Sequence, residues 1–165
     1  MRIRFALPAA VAAGTLAVVV ATPAHAAEYS SALKIKGAQY DAPGRDSNSC
    51  STGNSTGEYV TIKNYSRTAT VNLKGYVVKD TTSTNRFTFS SNHYLQPGDY
   101  VKLRGGHGTD SDADNVVYRQ NCNFLWNNDK DTVYLYKPSG AHADTHAYTR
   151  SRDDGDGNGY ISFHG

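Results

Sequence analysis

Past its first residue the chain has no methionine; it holds one tryptophan, Trp126, and two cysteines, Cys50 and Cys122. The cysteines form no C-x-x-C pair, which excludes a zinc ribbon and a thioredoxin-like redox motif. Beyond residue 26 no apolar run approaches the length of a membrane span. No segment carries an apolar stripe of helical period, which excludes a helical bundle. Charge of one sign is missing too. The 17 Lys and Arg exceed the 15 Asp and Glu only through Arg2 and Arg4, so residues 27–165 are balanced at formal zero. Net charge therefore gives no steering toward nucleic acid or an anionic membrane.

What is present begins with a targeting signal. Arg2 and Arg4 form a basic start, residues 9–21 are small and apolar, and Ala24-His25-Ala26 is an A-x-A cleavage site. Residues 1–26 are expected to be a secretory signal peptide, cut after Ala26. An uncleaved anchor is the alternative; Pro8, Gly14 and Pro23 break the run and argue against it. The expected location is extracellular, with no membrane span after cleavage. The 139 residues that follow Ala26 suffice for one domain with its own core. All 12 tyrosines lie there, among many Thr, Ser, Asn and Gly, a composition of strands and turns. Two cysteines in a secreted chain most simply form one disulfide, Cys50–Cys122, whose loop is worth about 4 kcal/mol by chain entropy.

Period-two alternation marks the strands. Leu33-Lys34-Ile35-Lys36 is the first; residues 58–63 follow, with Val60 and Ile62 on one face. Residues 71–78 make a third, in which Gly75 implies a bulge or bend. Residues 86–90 and 100–103 are the next two, the second preceded by the turn Leu95-Gln96-Pro97-Gly98-Asp99. Thr132-Val133-Tyr134-Leu135-Tyr136 puts Val133 and Leu135 inward and both tyrosines outward, and residues 143–149 close the set. Trp126, just before the turn at residues 127–131, is the largest apolar group available to plug the core. Residues 45–57 and 104–115 are polar loops. About seven short strands joined by turn chemistry predict an all-β, antiparallel sandwich.

Residues 58–64 (EYVTIKN), Leu73-Lys74-Gly75-Tyr76 and Leu95-Gln96-Pro97-Gly98-Asp99-Tyr100 resemble successive motifs of the lamin tail domain family. Trp126, Asp129, Val133, Leu135, Gly140, Asp144 and Tyr148 resemble its closing hairpin. Tyr76 departs from the family's frequent Trp but can fill the same place. The resemblance, which runs from about Leu33 to Thr149, implies an immunoglobulin-like β-sandwich; the domain is set at residues 27–150, and the composition of residues 151–165 marks a flexible, acidic, Gly-rich tail. The resemblance also implies an interaction module without catalytic residues. Such domains are interaction modules in nuclear lamins; in bacteria they are secreted or surface modules, some joined to hydrolases or nucleases.

The tail also resembles the start of a calcium loop. Asp154, Asp156 and Asn158 stand at positions 1, 3 and 5, Gly159 at 6, the Tyr160 carbonyl at 7 and Ile161 at 8. The glutamate of position 12 is missing, so a weak calcium site, with dissociation constant about 10⁻⁴ to 10⁻³ M, stands against a plain acidic tail. No other cofactor is expected. Asp110, Asp112 and Asp114 share the rhythm without the glycine and are assigned to a solvated loop. His142 and His146, four apart on a strand, lie about 13 Å apart and are assigned to exposed positions. Asp99, His107 and Ser111 form a triad only on paper, and the chain is read as no enzyme. The expected function is a secreted, monomeric module that binds a protein or cell-envelope component and no nucleic acid. The alternative is a carbohydrate-binding module that stacks sugars on an aromatic row of outward Tyr59, Tyr134 and Tyr136 on a sheet face.

Overall fold

The computed structural model describes residues 31–50, 52–82 and 84–164; the expected signal peptide lies outside them. Two sheets face each other. The larger has the order β11-β1-β2-β7-β8, with β1 at Leu33–Gln39, β2 at Tyr59–Asn64, β7 at Tyr100–Arg104, β8 at Val116–Tyr118 and β11 at Tyr160–Ser162. The smaller runs β10-β9-β4-β5, with β4 at Val77–Lys79, β5 at Arg86–Thr88, β9 at Lys130–Tyr136 and β10 at His142–Thr149. A two-stranded ribbon joins β3 (Val71–Asn72) to β6 (Tyr94–Leu95). All pairings are antiparallel except β7 with β8. The all-β immunoglobulin-like sandwich is the fold of the chain.

Alternation produces this arrangement. Ile35, Val60, Ile62, Val101 and Leu103 come inward from the large sheet, and Val78, Val133, Leu135, Ala143 and Tyr148 from the small one. A fully buried Val or Ile of this kind contributes roughly 1.5–3 kcal/mol. Trp126 is only 4% exposed and joins the same core, as its place before the turn predicts. Tyr40 and Tyr148 pack ring on ring at 4.8 Å.

Three expectations are corrected. Residues 71–78 are not one bulged strand: Gly75, at φ +85°, makes a turn that sends β3 to the ribbon and β4 to the small sheet. A side chain at Gly75 would meet Pro138, so both the backbone angle and the space require glycine. Short β6, which ends at the first residue of the expected turn, and β8, just after the loop at 104–115, lie outside the expected strands, because two or three residues carry too little alternation to mark one. The described part of the tail, residues 151–164, is not a flexible appendage. A single helical turn, α1 (Arg150–Asp153), leads to β11, where Gly37, Ala38 and Gln39 pair with Ser162, Ile161 and Tyr160. Ile161 is 5% exposed and belongs to the core, which outweighs the polar Gly-rich link before it.

Candidate functional site

The outward positions of the large sheet combine tyrosine with positive charge. Strand β2 turns out Tyr59 and Lys63; strand β7 turns out Tyr100, Lys102 and Arg104. Register sets Tyr59 opposite Arg104, Thr61 opposite Lys102 and Lys63 opposite Tyr100. The Lys102 ammonium lies 4.6 Å from the centre of the Tyr59 ring, the Arg104 guanidinium 5.3 Å, and the Tyr160 ring 6.3 Å. Cations this close to a ring face hold it in place while keeping their own charge toward solvent. Arg104 is fixed further by donating to the Thr56 carbonyl at 3.0 Å. Tyr160 crosses Gly37, whose missing side chain leaves the ring its place. Lys36, Tyr59, Thr61, Tyr100, Lys102 and Tyr160 line a shallow groove of 250 Å³. Among the described residues, none of these outward positions is acidic. Residues 27–165, whose formal charges balance, thus carry a local cationic, aromatic face.

The three tyrosines expected to form one row divide between the sheets. Tyr59 belongs to the cationic face, whereas Tyr134 and Tyr136 stand on β9 of the small sheet. Their rings are 6.0 Å apart, with the Lys79 ammonium 5.6 Å from Tyr134 and 5.3 Å from Tyr136. His142 packs on Tyr136 at 4.4 Å and donates to or accepts from Thr145 at 3.0 Å. Beside them a groove of 370 Å³ runs between Lys79, Arg86, Tyr136 and Pro138. His142 and His146 part company: a register shift between His142 and Asp144 lies between them, and His146 turns to Asp144 rather than to solvent alone.

The calcium-like loop closes on itself. Asp154 Oδ2 accepts from the Tyr40 hydroxyl at 2.6 Å and from the Gly159 amide at 2.9 Å. Asp156 accepts from the Asn158 amide groups, and Asn158 Oδ1 from the Tyr160 amide at 2.7 Å. Among the side chains of this loop, Asp154 Oδ1 alone is buried without a partner. One free oxygen falls well short of the six to eight that calcium takes. Asp110, Asp112 and Asp114 are also occupied separately, by the Tyr118 amide, His93 and Ser111.

Cys50 and Cys122 form a disulfide, 72 residues apart in sequence. Of the residues assembled on paper, Asp99 caps its own turn through the Gln96 amide, Ser111 pairs with Asp114, and His107 stands beside the disulfide. The sequence reading passed over one serine motif. Gly53-Asn54-Ser55-Thr56-Gly57 matches G-x-S-x-G. That motif needs a strand-to-helix elbow with an exposed hydroxyl. Here Ser55 starts a single 3-10 turn and is buried against Gly106, so the match carries no nucleophile.

Glu58 was also missed, although parity places it on the inward face with Val60 and Ile62. It is fully buried, and Oε2 accepts from the Leu125 amide at 2.5 Å and the Trp126 amide at 3.3 Å. Burial pushes its carboxyl up to about 8, against the pull of those two amides. Buried Arg119 holds the same segment by donating to the carbonyls of Asn123 and Phe124 at 3.3 Å. Burial lowers its pKa, opposed by Asp80 and Glu58. Glu58 thus anchors the Leu125–Trp126 backbone, and Arg119 the two residues before it.

The sequence model of the Lamin Tail Domain family matches residues 26–150. None of the curated proteins matches the chain.

Proposed function

From the premise that the chain belongs to the lamin tail domain family, a non-enzymatic, immunoglobulin-like interaction fold, we propose that it is a secreted binding module for an anionic cell-envelope component. The Cys50–Cys122 bridge supports an oxidising, extracellular setting. One observation carries the ligand class: Tyr59, Tyr100 and Tyr160 lie among Lys36, Lys102 and Arg104 on one open sheet face. Rings supply flat apolar area, the cations attract phosphate or carboxylate, and a shallow groove suits a polymer laid across the strands.

The test is co-sedimentation with insoluble cell walls that carry anionic polymer, against cellulose and chitin. Binding to the anionic walls, weakened by salt and by Lys102→Glu, is the expected result. Equal binding by wild type and Lys102→Glu overturns the reading. A second reading rests on the Tyr134–Tyr136 pair beside the small-sheet groove. It requires salt-insensitive binding to a neutral polysaccharide that is lost in Tyr136→Ala and kept in Lys102→Glu.

A further inference from the structure

We propose that Asp144, His146 and His164 form a zinc site at the edge of the sandwich, where β10 meets the chain just after β11. Asp144 Oδ2 is 3.2 Å from His146 Nε2 and 3.4 Å from His164 Nε2, and the two Nε2 atoms are 3.0 Å apart. Ligand atoms about 2.0–2.2 Å from a tetrahedral zinc stand about 3.4 Å from one another. The triangle already has nearly that size, so an ion can sit just off its plane and touch all three. Two imidazoles and one carboxylate are a donor set that suits zinc and leaves a fourth position open.

The ligands are held from outside the triangle. Asp144 Oδ2 also accepts from the Ile35 amide at 2.8 Å, which pins a buried side chain across the two sheets. The His146 ring stacks on Phe163 at 4.6 Å and 10°. The amides of Phe163 and His164 donate to the Lys36 carbonyl at 2.9 and 3.2 Å, and the Tyr65 ring packs on that of His164 at 5.9 Å. Outer contacts of this kind fix the orientation of metal-binding imidazoles. The side chains of His146 and His164 are 24% and 35% exposed, so an ion can reach the site from solvent. Lys34 opposes it: its ammonium lies 3.8 Å from the other oxygen, Asp144 Oδ1. That charge disfavours hard cations, which depend on carboxylate charge, more than a metal held chiefly by neutral imidazoles.

The competing account is a hydrogen-bonded His-Asp-His cluster that only closes the edge. Calorimetric titration of the chelator-stripped full chain with zinc chloride separates the two. The protein is kept oxidised, because Cys50 and Cys122 lie with His107 within 4.8 Å and would offer thiolates if reduced. One zinc per chain is expected, with affinity lowered roughly 100-fold in His146→Ala and in His164→Ala. His107→Ala should leave it unchanged, and Lys34→Met should raise it several-fold. Should the histidine variants not fold, the imidazole resonances of His146 and His164 in the wild type must shift as zinc is added. No stoichiometric uptake by the wild type, uptake unchanged in His164→Ala, or uptake lost in His107→Ala overturns the site.

Discussion

Glu58 and Asp144 are both buried carboxyls, yet their surroundings push them in opposite directions. Glu58 accepts from two backbone amides, but burial outweighs them and raises it to about 8. Asp144 is also raised by burial, but hydrogen bonds from His146 and the Ile35 amide, with Lys34 nearby, outweigh that and hold it at about 2. Burial alone therefore does not decide ionisation; the number and charge of donors do. The difference separates their roles. Glu58, with Oε1 buried and unpartnered, is a structural peg that carries a cost at neutral pH. Asp144 is an anion kept ready, with histidines aimed at it.

The largest effect should come from removing what Glu58 secures. Trp126→Ala is expected to cost about 3–5 kcal/mol in chemical denaturation, the usual range for a buried large aromatic. Unchanged stability would detach the Glu58 peg from the core. Next, Asp144→Ala should cost about 2–4 kcal/mol at pH 7, since the Ile35 amide loses its acceptor and Lys34 a partner. A loss below that of an ordinary surface change would make Asp144 no different from an exposed aspartate.

The pH dependence sharpens the contrast. Because the folded pKa of Glu58 lies above its unfolded value of 4.5, the native state binds more protons between those values. Stability should fall as pH rises from about 4.5 to about 8 and level off above that. Glu58→Gln should flatten that fall, and an equal slope in variant and wild type would assign the titration elsewhere. The smallest effect is expected from calcium. With Asp156 and Asn158 bonded within their loop, millimolar calcium should move the melting temperature by less than about 1 °C. A larger shift, absent in Asp154→Asn, would show that the free Asp154 oxygen outweighs the closed loop.

Much of the sandwich was legible because Val60, Ile62, Val133 and Leu135 alternate without interruption, and because Pro97-Gly98 marks its turn outright. The end of the chain was not. Ile161 is one apolar residue after a run of Asp and Gly, and only pairing with β1, more than a hundred residues earlier, makes that segment a strand. The sites divide likewise. Alternation put Tyr59, Tyr134 and Tyr136 outward, but it cannot tell which sheet a strand joins, so the single row was an error of topology. His164 lies 18 residues beyond His146, outside any short ligand spacing, and only the fold of β11 against β1 brings the two together.

The place of β11 bears on how the protein should be handled. The family match ends at residue 150, a natural point at which to trim the chain. Cutting there would strip the outer strand from β1 and bare the backbone groups of Ala38, together with the carbonyl of Lys36 and the amide of Tyr40. A bare, straight strand margin is a template on which a second copy can add its own. A fragment trimmed to the family boundary would then fail by sticking to itself rather than by unfolding, and the short strand beyond the acidic link is the part that keeps molecules apart.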